Sequence, residues 1–208
     1  PLPHVDKRIV YQRGHGGEPF HLAARAAGIR VGVFSADWEC HELGYAPLFP
    51  QRCDAFVDAR TAETPEEKAR ITQWAGRDED RLVSRWIQWH RQGQRDNARS
   101  LTYLKLLRPH EPYYTPPASE HWQPPFVPSA DNFTIFDFRP SAQRRVLLRN
   151  RYDNAIFYAD KALGRAIKQL KEDGSWEHTA VILVADHGEA WGEHRLYGHG
   201  TQHFDELV

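Results

Sequence analysis

The sequence predicts an α/β fold, a mostly parallel sheet covered by helices, from three observations. Helix-like and strand-like stretches alternate along the chain. The strand-like stretches are short apolar runs of the kind buried on both faces. The composition, 40% hydrophobic and 26% charged over 208 residues, builds a core and is not that of a disordered chain. A net charge of −1 provides no global field for nucleic acid or an anionic membrane. No apolar run reaches the roughly 18 residues that crossing a bilayer needs.

In chain order, Glu18 to Ala27 reads as a helix stopped by Gly28, and 29–34 as the strand after it. Thr64-Pro65-Glu66-Glu67 is a helix start, with an N-cap threonine, proline in the first position and acids in the first turn. That helix is expected to run to about His90 with Ile71, Trp74, Leu82, Trp86 and Trp89 on its apolar side. A second strand covers 101–107. Residues 108–140 hold seven prolines ahead of Pro140 and many aromatics, a long loop expected to pack on something. A long helix follows over 141–173, ended by Gly174, with Leu148, Tyr152, Ile156, Ala159, Leu163, Ile167 and Leu170 on one buried face. Thr179 to Ala185 is the apolar run expected of a central strand, giving a strand over 179–186.

That run breaks at Asp186-His187-Gly188-Glu189. In open α/β sheets, ligands bind beyond the carboxyl ends of strands, so a carboxylate and an imidazole there are candidate metal ligands, with Gly188 expected to allow the turn. Taken singly, Asp-His after a strand is an ordinary turn and Gly198-His199-Gly200 an ordinary loop. Together, His187, His194, His199 and His203 within 17 residues, beside Asp186 and two glutamates, point to a site.

The stretch 181–200 resembles the sulfatase signature near the end of a catalytic domain of the alkaline phosphatase superfamily. Tyr152-Asp153-Asn154 with Asp160 and Leu163 is similar to the helix preceding that signature, and 17–28 to the helix after the family's nucleophile. The resemblance implies an alkaline-phosphatase-like three-layer sandwich with helices on both faces. It puts Asp186 and His187 on the metal-ligand pair, and His199 on a position that contacts the ester oxygens or the leaving group. Arg108-Pro109-His110-Glu111-Pro112-Tyr113 resembles the family's Pro-His-x-Pro-Tyr segment, with His110 facing the same site as His199.

The same resemblance implies one divalent metal ion, calcium first, with manganese, magnesium or zinc as alternatives. Its substrate would be a small-molecule or glycan sulfate or phosphate ester. Two expected elements are missing: the first-strand carboxylates and the Cys/Ser-x-Pro/Ala-x-Arg nucleophile. Cys40 and Cys53 do not fit that motif. With no methionine and no leader-like start, residues 1–208 are expected to be an incomplete catalytic domain lacking both ends. A lysine many sulfatases carry is also absent from Ala36-Asp37-Trp38-Glu39-Cys40-His41. That leaves open a phosphoethanolamine- or glycerophosphate-type transferase beside a sulfatase-like hydrolase, with a non-catalytic binding module as the third reading. A periplasmic or other extracytoplasmic setting is the favoured expectation. Cys40 and Cys53 read as two thiols, or as a disulfide in an oxidising compartment.

Overall fold

The computed structural model describes residues 20–36, 54–57, 64–66, 68–69, 78–111, 113, 121–124, 141–195 and 197–199. Cys40, Cys53, Ile71, Trp74, His203, residues 37–41 and most of the proline-rich stretch lie outside them. The chain divides into two compact units, Pro1–Leu107 and Arg108–Val208.

In the first unit, helix α1 (Phe20–Ala26) closes at Gly28, whose φ of +71° is the left-handed conformation glycine adopts without strain. Strand β1 (Arg30–Ser35) follows and lies between β2 (Ala55–Val57) and β3 (Ser100–Lys105), both parallel to it. Val33 pairs with Phe56 on one side and Tyr103 on the other. Val31, Val33, Phe34 and Ser35 are all buried, which is why the strand reads as a continuous apolar run. Strand β2 was not visible in the sequence. Asp54 starts it: its carboxylate accepts from the Val31 N–H at 2.6 Å while its own N–H donates to the Val31 carbonyl at 2.7 Å. Arg25 of α1 reaches the same carboxylate at 3.5 Å.

Helix α2 spans Glu79–Arg95, which corrects the expected helix from Thr64 to His90. Asp78 has non-helical backbone and its side chain caps the Arg81 N–H at 3.1 Å, so the helix begins there. Glu79 and Asp80 then place two carboxylates in the first turn, where the helix dipole favours them. The Thr64 signal does start a helical stretch, with 65–66 and 68–69 helical and the Lys68 N–H donating to the Thr64 carbonyl at 3.0 Å. Leu82, Val83 and Trp86 are buried, and Trp86 donates to Thr102 of β3 at 3.2 Å. Trp89 packs edge-on against Phe34 with ring centres 5.8 Å apart and carries the Arg30 guanidinium on its face. A Cβ at Gly32 would lie 2.8 Å from the Phe34 ring and 3.1 Å from Trp89, so this strand position admits no side chain.

In the second unit, helix α3 (Ala142–Glu172) runs for 31 residues from the Ser141 cap, which accepts from the Arg144 N–H at 3.2 Å, to Gly174 at φ +76°. Its buried stripe is Leu148, Ala155, Tyr158, Ala159, Ala162, Ala166 and Leu170. Ile156, expected on that face, is 42% exposed. Buried Asn154 fastens a loop to this helix. Its oxygen accepts from the His121 and Trp122 N–H groups at 2.6 and 2.8 Å, and its amide donates to the Trp122 carbonyl at 2.9 Å.

The expected central strand over 179–186 does not form. A strand exists only through a neighbour that takes up its N–H and C=O groups, and among the described residues none pairs with this run. Ile182, Leu183 and Val184 are 87%, 77% and 81% exposed. The described strands that follow are a two-stranded antiparallel hairpin, β4 (Ala190–Trp191) and β5 (Tyr197–Gly198).

Two substitutions test these contacts by chemical denaturation. Gly32→Val should destabilise the protein by about 1–3 kcal/mol through overpacking against Phe34 and Trp89. Asn154→Ala, which strands three backbone groups of the 121–122 loop, should cost on the order of 1–3 kcal/mol or more. Wild-type midpoints for either would contradict the packing described.

Candidate active site

The β4–β5 hairpin builds the core of the site. Its register pairs Ala190 with Gly198, so the next residues outward, Glu189 and His199, face each other. His199 Nδ1 lies 3.1 and 3.4 Å from the two Glu189 oxygens. The hairpin closes through Gly192 at φ +121°, where a Cβ would come 2.8 Å from the Tyr197 hydroxyl. Gly198 also has positive φ, +79°. Left-handed backbone thus falls at these two glycines and at His194 and Arg195 between them, φ +51° and +64°, and not at Gly188, where the turn was expected to need it.

The predicted residues come together around this hairpin. His187 and His199 have ring centres 4.1 Å apart, and His110 and His199 5.7 Å apart. The Asp186 carboxylate is 84% exposed and lies 4.0 Å from His187 Nε2. The histidines share an orientation. His187 Nδ1 is 2.7 Å from the Gly188 carbonyl and His110 Nδ1 is 2.8 Å from the Glu111 carbonyl. A carbonyl only accepts, so in each ring Nδ1 carries the proton and, when neutral, Nε2 is the acceptor nitrogen.

Two residues absent from the predicted set complete the arrangement. Glu189, only 6% exposed in its side chain, accepts from the Tyr113 hydroxyl at 3.1 Å as well as facing His199. Tyr113 itself is buried and held at φ +56°, a conformation uncommon outside glycine and typical of constrained sites. Burial, with the Glu189 charge second, pushes its hydroxyl far above the ordinary tyrosine range, so it remains a proton donor. Burial also raises Tyr152, again with Glu189 next. Tyr113, Tyr152 and Trp191 pack mutually, with centres 5.0–6.0 Å apart, and wall the carboxylate off from water. The sequence signal for Glu189 was its place in Asp-His-Gly-Glu. Nothing local distinguished it from Glu193, whose carboxylate is exposed and caps the Trp191 N–H at 2.6 Å.

A divalent cation fits the exposed end of the cluster in part. A carboxylate oxygen and an imidazole Nε2 4.0 Å apart can share one ion through bonds of roughly 2.0–2.6 Å. Fixing His187 through its other nitrogen is the usual preparation of a metal-binding ring. Among the described residues no group of three or more donors converges closely enough to hold an ion alone.

Within the second unit, one carboxylate and three oriented imidazoles lie together, groups of the kind that ester hydrolysis and group transfer use. The profile of the Sulfatase family matches residues 15–207, and the chain belongs to that family. Its relatives lie in the alkaline phosphatase superfamily. A phosphoethanolamine transferase EptA of Escherichia coli strain K12 is 42% identical over 53 residues, 26% of this chain and 10% of that protein. The EptA of Helicobacter pylori is 31% identical over 109 residues, covering 51% and 19%. A multifunctional alkaline phosphatase superfamily protein, PehA, of Trinickia caryophylli is 41% identical over 51 residues, 24% and 10%. The matches therefore span a tenth to a fifth of these relatives' lengths. No solved structure matches the chain.

The hairpin has a pH signature. Backbone N–H groups of Glu193 itself and of Trp191 hold the Glu193 carboxyl below its ordinary value of 4.5. A lowered folded value means that the interaction stabilises above that ordinary value and is lost as pH falls through the lower folded one. Acid titration of stability should therefore be steeper in the wild type than in Glu193→Gln, and identical curves would remove Glu193 from the hairpin's support.

Proposed function

We propose that the protein carries out metal-assisted transfer of a phosphoryl-type group from an ester, of the phosphoethanolamine-transferase kind. The observation that carries the reading is the convergence of His110, His187 and His199, all with Nδ1 satisfied by protein, beside the open Asp186 carboxylate. The absence of the lysine seen in many sulfatases and the names of the similar transferases support phosphorus over sulfur. Hydrolysis of sulfate esters is the second reading, favoured by family membership alone.

In this proposal Asp186 and His187 hold one divalent ion together with carboxylates that these residues do not supply. When bound, that ion neutralises the ester's non-bridging oxygens. Hard oxygen donors with one imidazole suit calcium, magnesium or manganese, and a larger imidazole share suits zinc. His110 and His199 direct Nε2 at the ester. A neutral ring takes a proton from an attacking hydroxyl, and a protonated ring delivers one to the leaving oxygen. The nucleophile motif of the family is not found in these 208 residues, so the proposal concerns the protein that carries it. We also propose the three-layer arrangement and an extracytoplasmic setting.

Asp186→Ala in the full-length protein should reduce bound metal, measured by elemental analysis, and lower turnover of a phosphoethanolamine donor by several powers of ten. Retained metal and turnover would end the assignment of Asp186. Faster release of sulfate from an aryl sulfate than transfer from the phosphoethanolamine donor would favour the hydrolase reading instead. Residues 1–208 alone should bind the ion weakly and turn over neither ester, because hard cations need about six oxygen ligands.

A further inference from the structure

Resting on the transfer reading, we propose that Glu189 is a positioning residue for His199. Its buried carboxylate, anchored by the Tyr113 hydroxyl, holds the imidazole in the tautomer that presents Nε2 to the ester. A carboxylate is acceptor-only, so the ring nitrogen 3.1 Å from Glu189 Oε1 must carry the proton. The other oxygen accepts from the Tyr113 hydroxyl at 3.1 Å, so both oxygens of the carboxylate are engaged, which restricts its rotation. Both partners are donors, and the raised Tyr113 hydroxyl stays one throughout the working pH range.

The hairpin makes the placement obligatory. Pairing Ala190 with Gly198 sets Glu189 across from His199, and a Cβ at Gly198 would already touch Glu189 Oε1 at 3.6 Å. His199 is also unlike its two neighbours. His110 and His187 are oriented by backbone carbonyls, which no substitution removes, whereas His199 depends on a side chain. A carboxylate walled by Tyr113, Tyr152 and Trp191 and only 6% exposed is costly to keep unless its lone pairs are used. Here they are used to aim one ring. When that ring is protonated by substrate, the carboxylate opposite also stabilises its positive charge.

The test uses full-length protein labelled with isotopic nitrogen in histidine, with the His199 signals assigned by their loss in His199→Asn. Nitrogen NMR of the wild type should show His199 protonated at Nδ1, and Glu189→Ala should shift it toward the Nε2–H tautomer. The same variant should lower kcat roughly 10–100-fold, with KM for para-nitrophenyl phosphate and bound metal little changed. Tyr113→Phe, which keeps the carboxylate, should give a smaller fall in the same direction. A wild-type His199 protonated at Nε2 overturns the proposal without Glu189→Ala having to fold. An unchanged tautomer in Glu189→Ala, or a loss of kcat that merely follows loss of metal, overturns it as well. Absence of turnover of any ester by the wild type would instead sink the transfer reading, and the tautomer result would stand separately.

Discussion

The second unit is organised around one buried charge. Water would solvate a free carboxylate far better than a protein interior does, so Glu189 can occupy its place only while donors surround it. Tyr113 arrives from the Pro-His segment and His199 from the far strand of the hairpin, and both donate to it. That requirement ties together stretches 76 and 10 positions apart in sequence. Tyr113 makes its contact from left-handed backbone, at φ +56°. Around this contact the aromatic wall assembles, and on its outer side the imidazoles meet.

The division of labour within the cluster follows from burial. Glu189 and Tyr113 sit inside and fix geometry, while Asp186 and His187 are open and can exchange ligands. Chemistry on an ester needs both kinds of group. Preorganised residues stay still during the reaction, and exposed donors accept an ion and a substrate from solvent. His199 joins the two sets, with one nitrogen on the buried carboxylate and its ring against His187.

What the sequence made legible was local. Gly28, Gly174 and Ser141 mark helix ends because their effect is confined to one turn, and the structure uses all three so. The β1 strand was readable because burial on both faces removes any polar alternation, and β3, partly exposed at Tyr103, because its leucines and tyrosine still make a short apolar run. Strand β2, with three residues, is too short to show a pattern, and what starts it is a side-chain clamp from Asp54. The helix start at Asp78 was hidden by the stronger-looking Thr64-Pro65 signal. Asp186, His187, His110 and His199 could be named because their residue types and motifs speak of chemistry. Glu189 and Tyr113 could not be ranked, since their importance lies in facing each other across 76 positions. The run over 179–185 shows the converse limit: apolar composition states a readiness to pair, and pairing needs a neighbour.

That run has a practical consequence. Val181-Ile182-Leu183-Val184 offers four β-branched or apolar residues in a row, solvent-facing and with no charge between Thr179 and Asp186. Such a segment is a template for adding strands from other copies, the geometry from which cross-β stacks grow. Preparations that leave it uncovered should therefore become turbid in proportion to concentration, and a charge placed at Leu183 should act as a gatekeeper that keeps them clear.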